Sequence, residues 1–258
     1  VSLHSLSVIA FMGCWNIFND IMDIDVDRNN RPDRPLPSGR VSIDEARSFA
    51  TGLLTLSVIG LLGAAGWVSY NEMDLAAWLP SLPIWFAALL LMVHYEFEGG
   101  NSLRLKHKGL PGNIAVSLLV GIVIIFGAAS VGGLSNPLVW MVGLTAFCIN
   151  SAREIIKDVE DMEGDIGRET LSMQIGPNKA RTIAWVMTLL GFASLFLPFG
   201  IDVLPSGMLL LLTPAILAIL AAKPRIHQGD DHGAQRMLRL AILLGMIGFA
   251  VAAIIENG

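Results

Sequence analysis

Eight apolar stretches, each near the ~20 residues needed to cross the hydrocarbon of a bilayer, make up most of this chain: about 3–24, 44–68, 76–96, 112–131, 136–157, 179–200, 203–222 and 234–255. Backbone immersed in lipid has to satisfy its own hydrogen bonds, so such stretches fold as helices. Connectors as short as Gly132 to Ser135 make successive helices antiparallel neighbours. The predicted fold is all-α: one multi-pass transmembrane helical bundle over residues 1–258. Its two halves, 1–131 and 136–258, read as four-helix pseudo-repeats. Composition agrees, since 53% hydrophobic against 15% charged residues leaves too little polar surface to cover a soluble core. Val1 to Phe18 has neither a basic leader nor a small-residue cleavage site, so it does not read as a signal peptide. A chain that begins inside a hydrophobic run predicts a further segment upstream. Cys14 and Cys148 both lie inside apolar runs and imply neither a disulfide framework nor a thiolate metal site.

The basic residues give the orientation. Arg28, Arg31, Arg34, Arg40 and Arg47 follow the first stretch, and Arg104, Lys106 and Lys108 follow the third. Arg153, Lys157, Arg168, Lys179 and Arg181 surround the end of the fifth, and Lys223, Arg225, Arg236 and Arg239 the link from seventh to eighth. Those four groups hold all 17 Lys and Arg. The intervening loops carry Glu72, Asp74 and Asp202 instead. Basic loops stay in the cytoplasm, so the pattern predicts a cell-membrane protein whose basic side, and any site there, faces the cytoplasm. The net charge of −5 and this placement make nucleic acid an improbable partner.

Two acidic motifs stand at the basic ends. The first stretch closes on Asn16-Ile-Phe-Asn19-Asp20-Ile-Met-Asp23-Ile-Asp-Val-Asp27, the fifth on Glu154-Ile-Ile-Lys157-Asp158-Val-Glu-Asp161-Met-Glu-Gly-Asp165. Each contains D-x-x-D-x-x-x-D, preceded four residues earlier by an oxygen-bearing side chain. At ~100° per residue the four positions fall within a stripe of roughly 60°. Carboxylates so spaced repel one another and gain little solvation near lipid, so they need a cation. All-oxygen ligands suit Mg²⁺, which keeps several waters and bridges carboxylates to substrate phosphates. An even number of crossings separates the two ladders, so both reach the same membrane side. One pocket lined by both is expected, with Mg²⁺ clamping a diphosphate and Arg or Lys completing the charge balance. Asp25, Glu160 and Glu163 point off the stripes and read as a solvated face. A cation carrier is the competing reading, although transporter sites lie near the bilayer midplane rather than at its edge. A CDP-alcohol phosphotransferase would place D-G-x-x-A-R before a single ladder, and this chain has two ladders and no such motif.

Asn19-x-x-x-Asp23-x-x-x-Asp27, then Arg31-Pro-Asp-Arg34-Pro-Leu-Pro-Ser-Gly39, Gly109-Leu-Pro-Gly-Asn113 and Asp161-x-x-x-Asp165 together resemble the UbiA superfamily of intramembrane prenyltransferases. The resemblance runs across the whole chain. It implies nine transmembrane helices, eight of them in this sequence, and a Mg²⁺-dependent site facing the cytoplasm. It also implies that Asn19, Asp20, Asp23, Asp27, Asp158, Asp161 and Asp165 hold the metal, with Asp23, Asp27, Asp161 and Asp165 central to catalysis. Arg34, Lys106, Asn16, Asn113 and Lys157 are the residues expected on diphosphate or acceptor. Tyr95 and Lys106 stand further apart than is usual in the family. Within the superfamily, Arg153 to Asp165 is most similar to the archaeal digeranylgeranylglyceryl phosphate synthases. That similarity implies transfer of a geranylgeranyl group from geranylgeranyl diphosphate to the free hydroxyl of geranylgeranylglyceryl phosphate, a step of ether-lipid synthesis. The alternative within the family is an aromatic acceptor such as 4-hydroxybenzoate.

Overall fold

The computed structural model describes residues 1–164 and 169–257. All regular structure among them is helical: α1 (Ser2–Met22), α2 (Ile24–Asn30), α3 (Ile43–Tyr70), α4 (Leu75–Trp78), α5 (Ser81–Glu96), α6 (Leu110–Ala129), α7 (Pro137–Glu160), α8 (Leu171–Ile175), α9 (Pro177–Ser194), α10 (Leu197–Gly200), α11 (Thr213–Gln228) and α12 (Asp231–Asn257). Among the described residues eight membrane-length apolar segments result, close to the predicted ones. Breaks near Pro80 and Pro198 give the short α4 and α10. Large apolar side chains such as Ile59, Phe86, Leu217 and Leu243 are exposed along the helices. On a soluble surface they would form adhesive patches; in a bilayer they meet acyl chains.

The chain forms two compact units. The first holds Val1–Arg104 and Phe126–Gly133. Lipid supplies no hydrophobic drive between helices, so close backbone approach and interhelical hydrogen bonds hold them together. α1 lies against α3 and α5, and Gly60 permits the approach: a Cβ there would sit 2.9 Å from the Leu3 carbonyl oxygen and 3.1 Å from Ser7 N. The Ser7 and Ser57 hydroxyls pair at 3.1 Å, Trp85 Nε1 donates to Ser57 Oγ at 3.0 Å, and His4 Nε2 meets Ser81 Oγ at 3.0 Å. Around them pack Phe11, Trp15, Trp78, Trp85 and Phe126. α3 opens on a capping box, Ser42 with Glu45.

The second unit comprises Leu105–Ile125, Leu134–Glu163 and the C-terminal helices. α7 is the most buried span, packed against α9 and α12. Its core joins Ile149, Ile155 and Ile156 to Leu195, Leu212, Ile219 and Leu238. Small residues again set the spacing: Ala152, Ala180, Ala184, Ala222 and Ala234 are fully buried. A Cβ on Gly191 would meet Ile149 Cγ1 at 2.6 Å. Thr145 and Ser194 hydroxyls pair at 2.7 Å between α7 and α9.

Candidate active site

In the first unit, the acidic motif straddles a break that its spacing does not reveal. α1 ends at Met22, Asp23 caps it with φ −90° and ψ 6°, and α2 carries Asp27. The i to i+4 backbone bonds continue through it, Asp23 N to Asn19 O at 2.9 Å and Asp27 N to Asp23 O at 2.8 Å, so the side chains keep near their ladder directions. Asn19 Nδ2 donates to Asp23 Oδ2 at 2.8 Å. Arg34 Nη1 donates to Asp27 Oδ2 at 2.6 Å and to Asp20 Oδ1 at 3.2 Å. The loop that delivers Arg34 is built for this. Pro32 and Pro35 prevent α2 from continuing, and Leu36, 8% exposed, docks with Ile21 and Ala46. Val41 N returns to the Pro35 carbonyl, and Gly39 turns at φ +73°. Asp27 is buried, while Asp20 and Asp23 are half-buried. Asn16 lies exposed on α1 and makes no side-chain hydrogen bond among the described residues.

In the second unit, Asp158 is the anchored member of the other motif. Asn113 Nδ2 donates to Asp158 Oδ2 at 2.8 Å, and Ser172 Oγ of α8 donates to the Asp158 carbonyl at 2.7 Å. Behind Asn113, Asn150 Nδ2 donates to Ser117 Oγ at 3.2 Å, and Ser117 Oγ donates to the Asn113 carbonyl at 2.6 Å. The buried Asn113 keeps an Oδ1 with no hydrogen-bond partner among the described residues. The glycines of Gly109-Leu-Pro-Gly-Asn113 are packing requirements. A Cβ on Gly109, at φ +56°, would meet Leu171 N of α8 at 3.0 Å, and one on Gly112 would run into the Leu105 carbonyl oxygen. These contacts fix the start of α6, hence Asn113, beside the short 3₁₀ turn Leu105–His107 that carries a half-buried Lys106. Asp161 caps α7, its N–H bonded to the Lys157 carbonyl at 2.9 Å. Asp161 and Lys157 are half-buried, and neither side chain forms a hydrogen bond among the described residues. Asp165 lies outside the described residues.

Two off-stripe carboxylates, Asp25 and Glu160, are both exposed but differ in their partners. Asp25 is exposed and pairs with Arg28 at 2.7 Å, as a solvated residue should. Glu160 instead accepts from Gln235 Nε2 at 2.7 Å and meets His232 Nδ1 at 2.9 Å, tying the end of α7 to α12. His94 Nδ1 accepts from Leu103 N at 3.3 Å, and Ser102 Oγ returns to the Val93 and His94 carbonyls. The segment after Tyr95 thus folds back on α5, with Phe97 reaching Trp15 and Phe18 of α1.

The donor set of both motifs is oxygen only, which fits a hard divalent cation. Among the described residues no three His, Cys, Asp or Glu side chains already converge as a metal shell. Mg²⁺ typically takes one or two carboxylates and completes its octahedron with water and substrate phosphate. In the first unit Arg34 meanwhile supplies the neutralising charge.

A family model described as the UbiA prenyltransferase family matches residues 1–245. The chain is 40% identical over 248 residues to a digeranylgeranylglyceryl phosphate synthase of Methanopyrus kandleri, covering 94% of this chain and 84% of that one. Its identity to the synthase of the same name from Thermococcus kodakarensis is 32% over 261 residues, covering 96% and 84%. Among solved structures, one reported for digeranylgeranylglyceryl phosphate synthase in membranes aligns with TM-score 0.70 at 28% identity, over 98% of this chain and 85% of the other. The apo structure of a UbiA homolog from Aeropyrum pernix K1 aligns with TM-score 0.73 at 19% identity, covering 99% and 89%, a likeness of fold. The family match takes in the Asn19 to Asp27 motif, the Arg34 loop and the Asp158 to Asp165 motif alike: the chain belongs to the UbiA prenyltransferase family.

Proposed function

We propose that this intramembrane prenyltransferase moves a geranylgeranyl group from geranylgeranyl diphosphate to the free hydroxyl of geranylgeranylglyceryl phosphate. The observation that carries this reading is the 40% identity, over 94% of the chain, to a relative named for that product. The two oxygen-only motifs, each at the end of a membrane span, support the diphosphate half of the reaction. The ion is Mg²⁺, and the site faces the cytoplasm, where the basic loops lie.

In the reaction the allylic C1–O bond breaks, inorganic diphosphate leaves, the acceptor hydroxyl oxygen bonds to C1 and its proton is released. A divalent ion bound to the diphosphate supplies the charge stabilisation that this leaving group needs. Asn19, Asp20, Asp23 and Asp27 of the first motif and Asp158, Asp161 and Asp165 of the second are the residues that would hold the metal. Asn19 fixes the Asp23 carboxylate, and Asn113 fixes that of Asp158, so neither has to reorganise when substrate arrives. Arg34, Lys106 and Lys157 balance phosphate charge. Asn113 Oδ1 is an acceptor for a substrate hydroxyl, and Asn16 borders the entry to the motif. Apolar helix surfaces keep water from the allylic centre.

The test uses purified protein in detergent with Mg²⁺, radiolabelled geranylgeranyl diphosphate, and either geranylgeranylglyceryl phosphate or 4-hydroxybenzoate as acceptor. Ether product with the glyceryl phosphate alone is expected. Product with the aromatic alone overturns the acceptor and keeps the prenyl transfer.

A further inference from the structure

The second unit carries a cavity that uses none of the residues assigned to prenyl transfer. On the first two turns of α9, Asn178, Arg181, Thr182 and Trp185 stand at i, i+3, i+4 and i+7. On the last two turns of α11, Lys223, Ile226 and His227 stand at i, i+3 and i+4. Facing each other, these seven line a cavity of about 440 Å³. Both helix ends belong to the side where the basic residues gather.

The charges around it are unevenly compensated. Arg181 is held by Asp231 of α12 in a two-pronged pair, Nε to Oδ1 at 2.8 Å and Nη2 to Oδ2 at 2.5 Å, and donates to Asn178 Oδ1 at 3.1 Å. Arg225 pairs with Asp230 at 3.6 Å. Lys223 has no carboxylate partner among the described residues; its Nζ stands 5.8 Å from the centroid of the Trp185 ring. Ile226 is buried at the floor, Trp185 is half-buried, and His227 is exposed at the rim. The cavity therefore offers one uncompensated cation, ring N–H and amide donors at the mouth, and an aromatic and aliphatic floor.

A free diphosphate needs several cations and gains nothing from Trp185 and Ile226. A singly charged phosphodiester attached to an apolar body matches on both counts. Tryptophan and lysine at the end of a membrane span are what a lipid headgroup meets at that depth. We infer that this cavity binds the headgroup of an anionic phospholipid from the surrounding bilayer, with the phosphodiester against Lys223 and His227 and the glycerol region against Trp185. The bound lipid bridges α9 and α11 beside the Arg181–Asp231 tie, and so fastens the C-terminal helices.

The test adds dioctanoyl phosphatidylglycerol to the whole protein in a neutral detergent and reads bound lipid by native mass spectrometry alongside thermal unfolding. The wild type is expected to retain this lipid in preference to dioctanoyl phosphatidylcholine and to melt higher with it. Lys223→Gln should weaken retention about fivefold, the weight of one basic residue at an anionic surface. Its prenyl transfer in lipid-free detergent should be unchanged. Trp185→Leu, which keeps the charge, should also weaken retention. Equal retention by Lys223→Gln and wild type, or of the two lipids by wild type, overturns the proposal. So does inorganic phosphate giving the same thermal shift at the same concentration, which would make the site one for free anions.

Discussion

Replacing Arg34 by Gln should both weaken the protein and make it respond more strongly to Mg²⁺. Arg34 reaches Asp27 at 2.6 Å and Asp20 at 3.2 Å; the three side chains are 36%, 9% and 47% exposed. The Asp20 contact is close to a surface pair, so at most about 1 kcal/mol is lost there. Asp27 is nearly enclosed. Stranding a fully buried carboxylate costs roughly 3–5 kcal/mol, and the partly open Arg34 brings that down to about 2. Without metal, Arg34→Gln should therefore lose about 2–3 kcal/mol of stability, several degrees of melting temperature in detergent with EDTA. Mg²⁺ then acts in the opposite sense. In the wild type it competes with a charge-assisted bond worth about 1.5–3 kcal/mol, whereas in the variant the Arg34 guanidinium no longer competes for Asp27. The apparent affinity for Mg²⁺ without diphosphate should rise on the order of tenfold, since ~1.4 kcal/mol corresponds to a factor of ten. The Mg²⁺-induced thermal shift should exceed the wild-type shift at every subsaturating concentration. Turnover should nonetheless fall, because the same guanidinium is assigned to diphosphate. A variant as stable as wild type in EDTA, or one whose Mg²⁺ shift is no larger, refutes the idea that Arg34 stands in for the metal.

Asp23→Ala and Asp161→Ala should each abolish prenyl transfer while the helical circular dichroism spectrum and detergent elution profile stay unchanged; normal turnover by either variant would remove that motif from the mechanism. Asn113→Leu keeps the side-chain shape but takes away the 2.8 Å bond to Asp158. Turnover or metal affinity should drop about 10- to 100-fold, as when a partner orienting a metal ligand is lost. Melting should move little, because the unpartnered Oδ1 goes as well, and a large stability loss with normal kinetics would make Asn113 a packing residue only. Gly60→Ala puts a methyl group 2.9 Å from the Leu3 carbonyl oxygen and 3.1 Å from Ser7 N. α1 and α3 must part, at about 1–3 kcal/mol, and a melting curve that does not shift would show that the two helices have slack.

Periodicity and spacing carried the spans and the acidic motifs because both are local properties. An apolar run of ~20 residues has few alternatives to a helix in lipid, and D-x-x-D-x-x-x-D is written in consecutive residues. Contacts between distant segments were not written there. The break at Asp23 follows from Asp20, Asp23, Asp25 and Asp27 crowding about two turns, where aspartate is a poor helix former and its neighbours repel it; the face of the ladder is legible but not its interruption. Five arginines follow the first span, and Arg31-Pro-Asp-Arg34-Pro drew attention to Arg34 as a phosphate ligand. Its grip on two aspartates depends on Leu36 docking with Ile21 and Ala46, which spacing does not express. The bond from Asn113 to Asp158 spans 45 residues. Glu160, like Asp25, is exposed off the ladder, and it also reaches Gln235 and His232 of α12. Lying off the ladder leaves Glu160 open to solvent without keeping it from a neighbour, because α7 packs on both α9 and α12. The pairing of Glu160 with Gln235 had one faint sequence signal, a glutamine inside the first turns of the last span. Polar residues within a membrane helix seek each other across an interface, and Gln235 is the residue to ask about Glu160.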